Sequence, residues 1–267
     1  MRPSCSVRPQ EDKGRTELSG LETTGAVQVF LFALLTAVAT GIGALPFIFV
    51  KSLTRRWLGI SNAIAAGLML AASFGLVYEG VNRDLFRTLG GALVGLGFIV
   101  LVRRMLQRDE HPAVFAGMSS MDARKSLLIV GVMTVHSLTE GVGVGVSFGG
   151  GLGLGLFITL AIAVHNIPEG LAISVVLVPR GVRWSRAAFW SVFSSLPQPL
   201  MAVPAFVFVE TFRSLLPYGL GFAAGAMIWM VFAELMPDAL DEASPNLVAV
   251  VVTLSVVAMV AFQVLIR

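Results

Sequence analysis

The side chains able to do chemistry are concentrated in two short words within apolar runs: His136-Ser137-Leu138-Thr139-Glu140-Gly141 and, twenty-nine residues later, His165-Asn166-Ile167-Pro168-Glu169-Gly170. Both follow the pattern His-(Ser/Asn)-(Leu/Ile)-x-Glu-Gly. A His and a Glu four residues apart on an α-helix differ by about 40° in direction and about 6 Å in height, so each pair shares one face. Such a polar face at the centre of a segment long enough to cross a bilayer is expensive in hydrocarbon and marks a site or a pathway. On antiparallel helices the two motifs meet at one depth and offer two imidazoles, two carboxylates and the Asn166 amide. That donor set suits zinc and would also hold iron, manganese or cadmium. With neutral imidazoles, two carboxylates balance a dication at low dielectric. A single intramembrane His would read equally well as a hydrogen bond between helices; the duplication favours a metal.

Other polar positions carry less. Pro168 removes the helical hydrogen bond to the carbonyl of Val164 and bends the chain beside His165, leaving that carbonyl for water or an ion, or simply making a helix kink. Glu234, in Phe232-Ala233-Glu234-Leu235-Met236-Pro237-Asp238, reads as a secondary site or an interfacial carboxylate. Met69 reads as packing, although its thioether is a conceivable ligand. Gly141, Gly145, Gly151 and Gly155 allow close helix approach and suggest no chemistry.

The elements that must position these residues follow from composition. Of 267 residues, 56% are hydrophobic and 13% charged, and the mean hydropathy is +0.84. These values describe an all-α, multi-pass membrane protein. The single Cys5 excludes an intramolecular disulfide and a thiolate metal site. The net charge of +3 comes with bases scattered over short loops, which argues against nucleic acid as a partner. Residues 1–24 form a polar stretch expected to be disordered, followed by a transmembrane domain over 25–267.

Eight apolar spans are expected, at 26–50, 58–78, 89–102, 127–148, 155–177, 187–209, 218–236 and 246–266, the third of them short. The loops after spans one, three and five carry eleven Lys and Arg residues, against four on the opposite side with the tail left out. The positive-inside rule then puts both termini outside the cytoplasm. Ala65-Ala66-Gly67-Leu68-Met69 in span two is echoed by Ala223-Ala224-Gly225-Ala226-Met227 in span seven. This hints at an inverted repeat of spans one to three and six to eight around spans four and five.

The paired motifs, the eight spans and the Ala-Ala-Gly-x-Met word together resemble the ZIP (Zrt- and Irt-like) family of divalent metal transporters, in particular its bacterial-type branch. The resemblance implies that His136, Glu140, His165, Asn166 and Glu169 carry a transport site, with Met69 near it and Glu234 on the entry or exit route. Three departures stand out. Ser137 and Thr139 replace residues that are often Asn and Pro, implying a straighter fourth span with one fewer amide ligand. Gln198, an uncharged oxygen donor that could still reach the metal, replaces a Glu common in span six, which argues against a two-metal site. The loop between spans three and four has only His111, so it is a poor metal sensor.

The function expected is movement of divalent metal, zinc first, toward the cytoplasm across the cell membrane. Metal is then cargo and not a cofactor, and the partners expected are the ion, the bilayer and a second copy of the chain. The rival is a membrane-embedded metalloenzyme using the same cluster. It lacks the His-Glu-x-x-His spacing of metal-assisted hydrolysis and the Glu-x-x-His pairs of di-iron sites, so no enzyme activity is expected.

Overall fold

The computed structural model describes the backbone of residues 11–50, 54–106 and 120–266. Its regular elements are all helical: α1 (Glu11–Ile42), α2 (Arg55–Val81), α3 (Leu85–Leu106), α4 (Ser120–Gly149), α5 (Leu152–Leu177), α6 (Trp184–Ser195), α7 (Pro197–Thr211), α8 (Leu216–Met230), α9 (Met236–Glu242) and α10 (Pro245–Ile266). Among the described residues, seven stretches are long and apolar enough to cross a membrane, matching every expected span except the fourth. The fourth falls on α4, part of which lies outside the described side chains. Of the polar stretch 1–24, residues 1–10, with Cys5, are outside the described residues, as is His111. The backbone of 11–24 belongs to α1, whose apolar part begins at Gly25.

Three spans differ in detail from expectation, each for a local reason. The third is not short, running from Leu85 to Met105. Asp84 caps its start, accepting from the Arg87 N–H at 2.9 Å, and its far end extends through Arg103, whose charge has a partner inside the protein. The sixth is broken into α6 and α7. Pro197 and Pro199 lack N–H groups, so the carbonyls of Phe193 and Ser195 lose their helical donors, and Leu196 closes a tighter turn onto Phe193 instead. The seventh passes from α8 through a π-helical turn, Val231–Leu235, into α9. Pro237 cannot donate to Ala233, and the wider turn absorbs the missing bond.

In lipid, apolar surface does not drive helices together, so close approach through small residues must do so. Among the described residues the most extensive pairings are α3 with α8, α4 with α7, α2 with α10 and α1 with α5. Between α3 and α8 the glycines are reciprocal. A Cβ on Gly91 or Gly95 would overlap the carbonyls of Tyr218 and Phe222, and one on Gly221 or Gly225 would overlap those of Thr88 and Ala92. Gly91→Val is therefore expected to destabilise by roughly 1–3 kcal/mol, seen as a lower temperature of aggregation in detergent. The central core is apolar, with Met69, Leu76, Ile158, Ile162, Met227 and Met230 fully buried.

Candidate metal centre

α4 and α5 form a helical hairpin closed at Gly150 and Gly151, where Gly151 takes φ 119°, a conformation that favours glycine. The hairpin brings the two motifs to one level. One ligand atom from each of His136, Glu140, His165 and Glu169 lies within 4.8 Å of the other three, and all four residues are buried. Around a tetrahedral zinc, ligand atoms sit about 3.3–3.5 Å apart, so small side-chain rotations suffice to close the set on an ion.

Glu140 is the hub. Its Oε1 is 2.5 Å from His165 Nε2 and 3.1 Å from His136 Nε2, the latter without the alignment of a hydrogen bond. Its Oε2 accepts from the Gln198 amide. Glu169 is the opposite case: both of its oxygens are buried with no hydrogen-bond partner. Asn166 Oδ1 and His165 Nδ1 are likewise unpartnered. Buried polar atoms are nearly always paired, and an orphan carboxylate is costly. Two carboxylates and two imidazoles gathered at one point, one of the carboxylates without a partner, are a donor set suited to a cation.

The glycines that end each motif position it. A Cβ on Gly141 would overlap the Gln198 backbone, and one on Gly170 would overlap the Thr40 carbonyl of α1. α7 and α1 thus press directly on the helices that carry the ligands. Asn166 Nδ2 donates to the Thr36 carbonyl at 2.9 Å and to Gln198 Oε1 at 3.2 Å, and the Thr36 hydroxyl lies 2.5 Å from that same Oε1.

Of the other expected residues, Gln198 reaches the centre through Glu140. Met69 is buried in the apolar core, and Glu234 lies in the π-turn, 3.2 Å from Arg103 Nε. The Arg103 guanidinium also lies 5.2 Å from the centre of the Trp229 ring. Thr36 and Arg103 were not singled out in the sequence. Thr36, with Thr40 one turn on, is a polar interruption of an apolar span, and that was the available signal. α4 runs unbroken through Ser137 and Thr139, and the Thr139 hydroxyl returns to the His136 carbonyl at 2.8 Å.

Several known proteins are similar to this chain. An Arabidopsis thaliana protein whose name provisionally assigns it to the zinc transporters is 50% identical over 258 residues, 95% of this chain, which spans only 41% of the plant protein. The zinc transporter GufA of Myxococcus xanthus is 34% identical, with 77% of this chain and 86% of GufA covered. The zinc transporter ZIPB of Bordetella bronchiseptica is 36% identical over 75% of this chain and 69% of its own length. The family model described as ZIP Zinc transporter matches residues 104–262 and takes in both motifs, Gln198 and Glu234; the chain belongs to the ZIP zinc transporter family.

Proposed function

We propose that this protein carries divalent metal, zinc first, toward the cytoplasm through a central site made by His136, Glu140, His165 and Glu169, with Asn166 Oδ1 as a further donor. The observation that carries the reading is the buried Glu169 carboxylate with no protein partner, facing a fully buried Glu140 and two imidazoles. An ion leaving water must exchange its hydration shell for these donors, and two carboxylates supply the charge that makes the exchange tolerable at membrane depth. Iron, manganese and cadmium compete for the same donors.

In this reading α4 crosses as the fourth of eight spans, both termini lie outside the cytoplasm and the cell membrane is the site of action. An inverted repeat is part of it. Exchanging spans one, two and three with six, seven and eight, and four with five, turns the α3–α8 pairing into α10–α2 and the α1–α5 pairing into α7–α4, all four of which are close pairings. Gly67 meets α10 at Val252 and Ser255, as Gly225 meets α3 at Ala92. Glu234 belongs to the route and Met69 to the packing near the site. Glu234→Ala should slow uptake several-fold while leaving zinc bound at the centre, read by uptake rate and zinc content together.

The direct experiment is zinc entry into vesicles containing only the purified chain, followed by a trapped fluorescent chelator. Entry that saturates with zinc and is reduced by competing cadmium supports the reading. Entry no faster than in protein-free vesicles overturns it.

A further inference from the structure

We infer that Gln198 restricts the central site to one ion by holding Glu140 as a ligand that a second ion cannot share. The inference rests on the transport-site reading above and adds how many ions that site admits. It begins at a group whose role is fixed: the backbone carbonyl of Thr36 can only accept. Asn166 lies 2.9 Å from it, so the Asn166 group there is the NH₂. The same NH₂ is 3.2 Å from Gln198, so the Gln198 atom facing it is the carbonyl oxygen. The other end of the Gln198 amide is then the NH₂, and it donates to Oε2 of Glu140. Turning the amide over would set oxygen against carboxylate and NH₂ against NH₂.

Glu140 therefore has one oxygen committed to an amide donor and the other facing the imidazoles. The bridge that gives one oxygen to each of two ions would need both. The N–H groups of Gln198, positive at their hydrogens, occupy the side from which a second ion would approach Oε2. Charge argues the same way. Two dications would bring four positive charges to a centre that supplies two carboxylates, an imbalance that low dielectric does not tolerate. Nor can Gln198 retreat easily. It is fully buried, it follows the break at Leu196–Pro197, and its backbone lies against Gly141 too closely for a Cβ.

The test counts zinc in purified protein held in lipid nanodiscs, after saturation and removal of loose ion by gel filtration. Central ions are those absent from the Glu169→Ala protein, and the ratio is read by elemental analysis. One central zinc per chain is expected in the parent. Gln198→Glu removes the donor and adds a carboxylate, so its count should rise to two, with zinc–zinc scattering at about 3.5–4 Å in X-ray absorption, a signal absent from the parent. Two central ions in the parent, or a folded Gln198→Glu protein that stays at one, overturns the inference. Should the variant fail to fold, the parent count and its scattering decide alone. No Glu169-dependent zinc in the parent would instead overturn the transport-site reading beneath it.

Discussion

Glu169→Ala is expected to abolish zinc uptake while leaving the folded protein as stable as the parent, or more so. The two halves of this result have one cause. Both Glu169 oxygens are buried without a protein partner, so the folded state loses no hydrogen bond and sheds the cost of an orphan group. A bound dication, by contrast, loses half of its neutralising charge. Leaving a buried charge uncompensated costs about 3–5 kcal/mol, equivalent to roughly 10²-fold or more in affinity. Glu140→Ala should separate from it. That change strips partners from His136, His165 and Gln198 together, so uptake and stability should fall in parallel. Measuring melting temperature beside uptake for the two variants distinguishes the roles, and a Glu169→Ala protein that transports normally at limiting zinc would remove Glu169 from the site.

The second large effect is expected from a residue with no functional group. Gly170 follows Glu169 and lies against the backbone of α1, where a Cβ would overlap the Thr40 carbonyl. Gly170→Val must push α5 away from α1. The displacement reaches the Asn166 contact with the Thr36 carbonyl one turn earlier on both helices, and it strains the Thr40–Ser195 hydroxyl contact at 2.8 Å. Overpacking of this kind costs about 1–3 kcal/mol and sometimes more; against backbone, with no side chain free to yield, the upper end applies. The expected outcome is little or no monodisperse protein after extraction in detergent. Recovery of normal amounts, with normal uptake, would mean that the α1–α5 contact is looser than described.

The four residues that meet at the centre were legible because each motif encodes its geometry locally. A spacing of four on a helix fixes a face, and a hairpin of two such helices fixes a common depth. Gln198 was legible as a departure in kind, an amide where charge would serve, yet its amide orientation was not. That depends on Asn166 and Thr36, which arrive from helices distant in sequence. The break before Gln198 had its signal in Pro197 and Pro199, but continuous hydropathy across 187–209 masks it. Arg103 shows the reverse limit. It is one of the eleven bases after spans one, three and five, and it also reaches Glu234 and Trp229, a pairing of α3 with α8 and the π-turn that no local pattern reports. The third span was underestimated for the same reason: apolar runs end where charges begin, whereas helices continue when those charges find partners.

Where zinc sits is the most direct test of the four-residue centre. Crystals of the protein grown with zinc, measured at the zinc absorption edge, locate the ion by its anomalous signal independently of any assumption about ligands. A single central peak is expected, bounded by the imidazoles of His136 and His165 and the carboxylates of Glu140 and Glu169, at bond lengths of about 2.0–2.2 Å. A well-occupied peak elsewhere in the membrane-spanning helices, beside Glu234 for example, with none among those four side chains, would contradict that centre.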